Sequence, residues 1–147
     1  RPEDVAAHLA SAFGIAQQTR ELGDPDVATL LAFRGDTLVA FAQVRRKAPP
    51  PCVTQPRPIE LQRFYVERPA HGTGVAQALM GAARQAAREF GGEHLWLGVW
   101  ERNPRAIAFY TKAGFRDVGS TVFQVGPDRQ TDRVLVAPLT VDGGDAA

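Results

Sequence analysis

A chain of 147 residues, 44% of them hydrophobic, can bury roughly two-thirds of its unfolded surface in one α/β domain over residues 1–147, and is too short for a second domain of ordinary size. Seventeen basic residues against sixteen acidic ones leave a formal charge of +1, and no cationic run exceeds Arg45-Arg46-Lys47, read as a solvated strand end, so nucleic acid is not an expected partner. A single cysteine, Cys52, excludes an internal disulfide framework and a cysteine-rich zinc site; apolar stretches too short to span a bilayer, with no charged-then-apolar opening, point to a cytoplasmic protein without membrane partners.

In chain order, residues 2–13 read as a helix, with Val5, Leu9 and Phe13 at helical spacing. Residues 15–22 continue weakly helical until Gly23-Asp24-Pro25 breaks them. Residues 27–33 and 38–44 are β-like runs joined at Arg34-Gly35-Asp36, an antiparallel pair. Residues 48–58 carry five prolines, which cannot donate to a ladder, and are expected to form an exposed loop, either a connector or a rim on the substrate side.

Residues 59–66 alternate as a central strand with both faces partly used. Residues 75–90 are Ala-rich, with Val75, Leu79, Ala82, Ala83, Ala86 and Phe90 on one helical face and Arg84, Gln85 and Arg88 turned away. Gly91-Gly92 stops that helix, and residues 95–100 read as a strand covered on both faces, which completes a right-handed crossover. Past a second helix, residues 115–125 and 133–136 flank Gly126-Pro127-Asp128 as a closing hairpin, and residues 142–147 form a small polar tail expected to fray.

Chemistry enters at His71-Gly72-Thr73-Gly74-Val75-Ala76, where two glycines at a helix start let backbone N–H groups approach an anion. The same residues also suit a tight strand-to-helix turn with no ligand. The run lacks the third glycine of a dinucleotide fingerprint, and no glycine-lysine-serine/threonine loop exists in the chain. Asn103-Pro104 fits a helix cap followed by the first helical position. Tyr110, one turn before Gly114, either packs with Ile107 onto the sheet or offers a proton: its ordinary pKa of about 10 keeps it neutral near pH 7.

Residues 60–115 resemble the core of the GNAT acyl-CoA N-acyltransferase superfamily. The family pattern Gln/Arg-x-x-Gly-x-Gly/Ala falls on His71 to Ala76, with His71 where Gln or Arg is usual, and a second pattern falls on Asn103, Ala106, Phe109, Tyr110, Gly114 and Phe115. The resemblance implies an α/β fold, a mixed central sheet flanked by helices. Family members begin with a strand and helix ahead of the segment that opens this chain, so the first strand is expected to be absent from it.

Acetyl-CoA is the implied co-substrate. His71, Gly72, Thr73, Gly74, Val75 and Ala76 would hold its diphosphate, mainly through backbone N–H groups, with a pH-sensitive component if His71 touches a phosphate. Asn103, with Ala106, Phe109 and Tyr110, would contact its arm, and Phe64 and Val66 on the preceding strand complete the cofactor set, a Val66 N–H holding the developing oxyanion.

Transfer would be direct, with Tyr110 facing the departing thiolate. From an unshifted phenol to a thiol titrating near 8.5, full proton transfer is uphill by about 2 kcal/mol. Glu60 matches the position of a general-base glutamate in several family members; a buried carboxyl there would have a raised pKa, and the other reading is a strand glutamate paired with Arg63 or a neighbouring strand.

Residues 95–101, 106–110 and 130–132 resemble more narrowly the PaiA-type polyamine acetyltransferases, which implies a small amine acceptor such as spermidine or spermine. Glu101 and Asp132 are acids that could attract it, or ordinary surface charges. Alternatives are a protein N-terminus or lysine side chain as acceptor, or an acyl-CoA-binding module without turnover. His8 and His94 lack spaced ligand partners, so no metal is expected. Trp96 and Trp100 read as core or pocket wall, and Arg45, Arg57 and Arg105 are equally eligible for the 3′-phosphate of CoA. An exposed closing strand could pair across a two-fold axis as a homodimer.

Overall fold

The computed structural model describes residues 14–19 and 24–139; the helix expected over residues 2–13 and the tail at 142–147 lie outside them. Seven strands, β1 (Gly14–Thr19), β2 (Val27–Arg34), β3 (Thr37–Arg45), β4 (Pro58–Val66), β5 (His94–Trp100), β6 (Arg116–Val125) and β7 (Asp128–Pro138), form an open mixed sheet in the order β1-β2-β3-β4-β5-β7-β6. The helices among the described residues are α1 (Val75–Glu89) and α2 (Pro104–Lys112), with a 3₁₀ turn over Arg68–Ala70. This is the expected mixed α/β sheet with helical crossovers.

One sequence reading is corrected at the sheet's edge. Residues 15–22 read as weakly helical from sequence, but 15–19 belong with Gly14 to strand β1, antiparallel to β2 with Gly14 opposite Phe33 and Thr19 opposite Ala28. The segment has no apolar stripe for a helix to bury, whereas β2 offers an open row of backbone donors and acceptors.

By backbone proximity the described residues divide into two compact units, those up to 45 with 61–86 and those of 46–60 with the ones from 87 onward. In the first, β2 and β3 turn through Gly35 and Asp36 as expected, with Gly35 at φ 60°. Their buried face sets Ala28, Leu30 and Ala32 opposite Val44, Ala42 and Ala40. On the other face, Gln43 Nε2 donates to Thr29 Oγ1 at 3.1 Å, and the rings of Phe41 and Tyr65 lie 5.8 Å apart. Helix α1 buries Val75, Leu79, Met80, Ala83 and Ala86 within this unit. Met80 was not on the expected face; Ala82, which was, is only half-buried.

In the second unit, β4 enters parallel to β5, pairing Pro58 with His94, Ile59 with Leu95 and Glu60 with Trp96. Ahead of β5, α1 ends as its glycines suggested: Gly91 adopts φ 82°, and the N–H groups of Gly91 and Gly92 donate to the Arg88 and Ala87 carbonyls. Strand β7 lies between β5 and β6 and is buried on both faces at Val134, Leu135, Val136 and Ala137. It begins at Asp128 rather than 133, because its apolar run marks only the covered part.

Two further expectations change here. Strand β5 is not covered throughout: Leu95, Trp96, Leu97 and Val99 are buried, but Gly98 and Trp100 are exposed. The proline-rich loop is more than an exposed connector. Its Val53 is buried against Trp96, Val134 and Val136, with Cys52 and Val118 packed alongside, so it covers one face of this part of the sheet.

Candidate active site

Beyond β4 the chain tightens into the 3₁₀ turn, where Ala70 N–H donates to Glu67 O and His71 N–H to Arg68 O. It then reverses through Gly72 at φ 79° and Gly74 at φ 90°. A Cβ at either glycine would meet nothing within 4 Å, so backbone conformation and not space demands glycine at both. Helix α1 opens at once: Ala78 N–H donates to Gly74 O at 3.1 Å. The N–H groups of its first turn, from Val75 and Ala76 onward, have no intrahelical acceptor and lie at the positive end of a 15-residue dipole, which is the backbone arrangement that holds a diphosphate. Thr73 is tied back through its hydroxyl to Ala70 O.

His71 is exposed, and its Nε2 lies 2.9 Å from Val66 O. A carbonyl only accepts, so Nε2 carries the proton of this bond. The ring therefore straps the turn to the end of β4, on which Phe64 and Val66 are half-buried.

In the second unit, Asn103 caps α2 as its sequence suggested. Its Oδ1 accepts from Ala106 N–H at 3.2 Å, its own N–H donates to Trp100 O at 3.0 Å, and Pro104 takes the first helical position. Tyr110 lies between two rings, Phe109 at 5.3 Å and Phe115 at 5.6 Å, both edge-on. Burial pushes its phenol up to about 12, because the charged form would lose its hydration there. That is the opposite direction from the one that would make it a ready acid.

Glu60 is half-buried, in register with Trp96. From there the same face of the sheet continues through Gly98 and Trp100 on β5 and Val136, Val134 and Asp132 on β7. Asp132 is only 8% exposed. Its Oδ1 accepts from Gln130 Nε2, and its Oδ2 lies over Gly98, 3.1 Å from where a Cβ would stand. Trp100, opposite Asp132, is 46% exposed. Glu101 is exposed and held by its N–H to Thr131 O. Of the two acceptor-side acids named from sequence, Asp132 is thus built into the sheet and Glu101 stands at a turn.

Sequence reasoning missed two features of this face. Gly98 makes room for the Asp132 carboxylate; a lone glycine inside an apolar strand is the signal that would have found it. The Trp96 indole Nε1 is buried without a hydrogen-bond partner among apolar side chains, a property that no sequence pattern announces. Among the described residues, no group of three or more His, Cys, Asp or Glu could hold a metal ion, and no helix is long and apolar enough to cross a membrane.

A profile of the Acetyltransferase (GNAT) family matches residues 3–115. An uncharacterized N-acetyltransferase of Mycobacterium tuberculosis is 33% identical over 138 residues, covering 94% of this chain and 84% of that protein. Among solved structures, PaiA N-acetyltransferase of Thermoplasma acidophilum in complex with coenzyme A is similar at 22% identity and a TM-score of 0.60, over 81% of this chain and 65% of that one. Spermidine/spermine N-acetyltransferase SpeG of Vibrio cholerae is similar at 14% identity and a TM-score of 0.68, over 89% and 95%. The structural likenesses carry the fold, and the profile with the mycobacterial relative carries the chemistry: the chain belongs to the GNAT family of acetyl-CoA-dependent N-acetyltransferases.

Proposed function

We propose that this enzyme acetylates a primary amine of a small polyamine such as spermidine or spermine. The observation that carries the reading is Asp132, a carboxylate more than nine-tenths buried against Gly98 and opposite the exposed Trp100. A carboxylate beside an aromatic face attracts an ammonium group both by charge and by the ring quadrupole. Glu101 adds a second negative charge at the strand end.

In this reading the diphosphate of acetyl-CoA lies on the first-turn N–H groups of α1, with His71, Gly72, Thr73, Gly74, Val75 and Ala76 shaping the turn. Phe64 and Val66 bind it from β4; Ala106, Phe109 and Tyr110 do so from α2. Asn103, whose Oδ1 is engaged as a cap, offers its amide N–H₂ to the pantetheine arm. An amine resembling lysine, with a pKa near 10.4, arrives mostly protonated, and Glu60 takes its proton. The amine nitrogen attacks the thioester carbon, the carbonyl oxygen gains the charge held by an N–H of Val66, and collapse breaks the C–S bond, CoA leaving as a thiolate while the nitrogen gives up its excess proton to solvent.

Tyr110 then donates a hydrogen bond to the leaving sulfur. With its phenol near 12 and a thiol near 8.5, complete proton transfer is uphill by about 5 kcal/mol, so hydrogen bonding to the developing thiolate is its principal contribution.

The test is release of CoA thiol from acetyl-CoA with spermidine, spermine, a lysine peptide and a free-N-terminus peptide offered separately. Turnover confined to the polyamines is expected. Turnover with peptides alone would overturn the acceptor assignment, and acetyl-CoA binding with no turnover on any of the four would favour a binding module.

A further inference from the structure

We propose that Gln130 is a specificity-determining residue: by holding one oxygen of Asp132, it makes the acceptor site select an alkylammonium over a guanidinium. The inference rests on the polyamine reading above and deepens it. Gln130 and Asp132 stand two residues apart on β7 and so share one face of the sheet. Gln130 Nε2 donates to Asp132 Oδ1 at 3.1 Å, and because an ionised carboxylate only accepts, the pair allows no other orientation of the amide. Gln130 is half-buried and Asp132 is 8% exposed, so this bond is shielded from water and holds the carboxylate in one rotamer.

The consequence is an unequal pair of oxygens. Oδ1 is engaged by the amide, whereas Oδ2 lies over Gly98, 3.1 Å from where a Cβ would stand. Gly98 is exposed, and having no side chain it leaves the β5 side of Oδ2 uncovered. The next residue on β7 supplies the contrast. Arg133 spans both oxygens of Asp117 at 2.8 and 2.7 Å, although Gly119 N–H also donates to Asp117 Oδ1. Asp117 can accept that fork because its side chain is 44% exposed and its outer edge faces the guanidinium. At Asp132 the corresponding edge is closed by burial and by Gln130.

Trp100, opposite Asp132 and 46% exposed, attracts either kind of cation to its ring, so discrimination falls to the carboxylate. An ammonium is a compact donor that a single oxygen can satisfy. A guanidinium makes its strongest contact through two parallel N–H groups to two oxygens. With Oδ1 held, the guanidinium forfeits one of two charge-assisted bonds and the ammonium forfeits none. The loss of one such bond corresponds to about a tenfold difference in affinity.

The experiment measures thiol release from acetyl-CoA with 1,4-diaminobutane and with 4-guanidinobutylamine, using spermidine and spermine as reference acceptors. The first two share chain length and charge and differ in the cation at the far end. The parent is expected to show a KM about tenfold lower for the diamine, after correction for its pair of equivalent amines. Gln130→Met, close in size and unable to donate, should bring the two KM values within about threefold, with the KM for acetyl-CoA as in the parent. Gln130→Glu, of the same shape but repelling the Asp132 carboxylate, should lose the discrimination in the same way and serves if the methionine variant does not fold. A parent that treats both amines alike, or variants that keep the parent's ratio, would overturn the proposal and leave polyamine acetylation standing. Parallel rises in KM for both amines and for acetyl-CoA would also overturn it, by reducing Gln130 to a structural role. Absence of parent turnover on the diamine, spermidine and spermine would remove the polyamine reading, and this inference with it.

Discussion

Tyr110 carries its own pH signature. Its phenol is raised by burial from 10.0 to about 12, so between these values the unfolded chain releases a proton that the native one keeps. Stability from burying the neutral phenol is fully present below pH 10 and is lost as pH rises through that window. Denaturant titrations at pH 9 and pH 11.5 should show a steeper loss for the parent than for Tyr110→Phe. The same variant should lower kcat while leaving acetyl-CoA affinity unchanged. An unchanged kcat would remove Tyr110 from the reaction.

Gly98 gives the second test at this scale. Its Cβ would stand 3.1 Å from Asp132 Oδ2, so Gly98→Ala must shift the carboxylate by a few tenths of an ångström. The expected result is a KM for the amine acceptor raised roughly tenfold, equivalent to the loss of one charge-assisted contact, with the KM for acetyl-CoA unmoved. Equal changes in both would indicate a general distortion of β5.

Among the elements, the β6–β7 ribbon is held across its irregular point by one ion pair. The register shifts between Asp117 and Gly119, and there Arg133 donates to both Asp117 oxygens at 2.8 and 2.7 Å while Gly119 N–H donates to Oδ1. The Arg133 hydrogen bonds, followed by that of Gly119, hold the Asp117 carboxyl below its ordinary value. A depressed carboxylate stabilises the native chain above its unfolded pKa of about 3.8, and the contribution disappears as pH falls through the lower native value. The stability difference between the parent and Arg133→Leu should therefore be largest above pH 4 and shrink under acid conditions. A difference that did not vary with pH would assign the effect to packing. Because the pair is partly exposed, the effect is expected to be small and sensitive to salt.

For the molecule as a whole, acetyl-CoA should act as a stabilising ligand, since in the proposed site it binds the folded turn and not the unfolded chain. At one hundred times its Kd, mass action adds about 2.7 kcal/mol to stability, visible as a rise in Tm that desulfo-CoA, retaining the diphosphate, should largely reproduce. A shift that needs the thioester would place the principal contacts away from the α1 turn. How much of this protein was legible in its sequence follows physical lines. The α1 helix, the Gly91 stop, the Asn103 cap and the glycine turn are local: each depends on backbone conformation or on hydrogen bonds within a few residues, and the residues that supply them stand side by side. The β2–β3 hairpin was legible for the same reason.

Strand β1 was not, because its conformation is set by the open edge of β2 and not by its own polar segment. Nor were the burial of Val53 under a loop of prolines, the Asp132 carboxylate seated over Gly98, or the orphan indole of Trp96, since each arises from partners distant in sequence. The sequence by itself determined the glycine turn at the start of α1 and the Asn103 cap, and it supplied the residues proposed to handle a proton. Only the tertiary structure decided how freely those residues ionise, because desolvation and shared space depend on which side chains folding brings together.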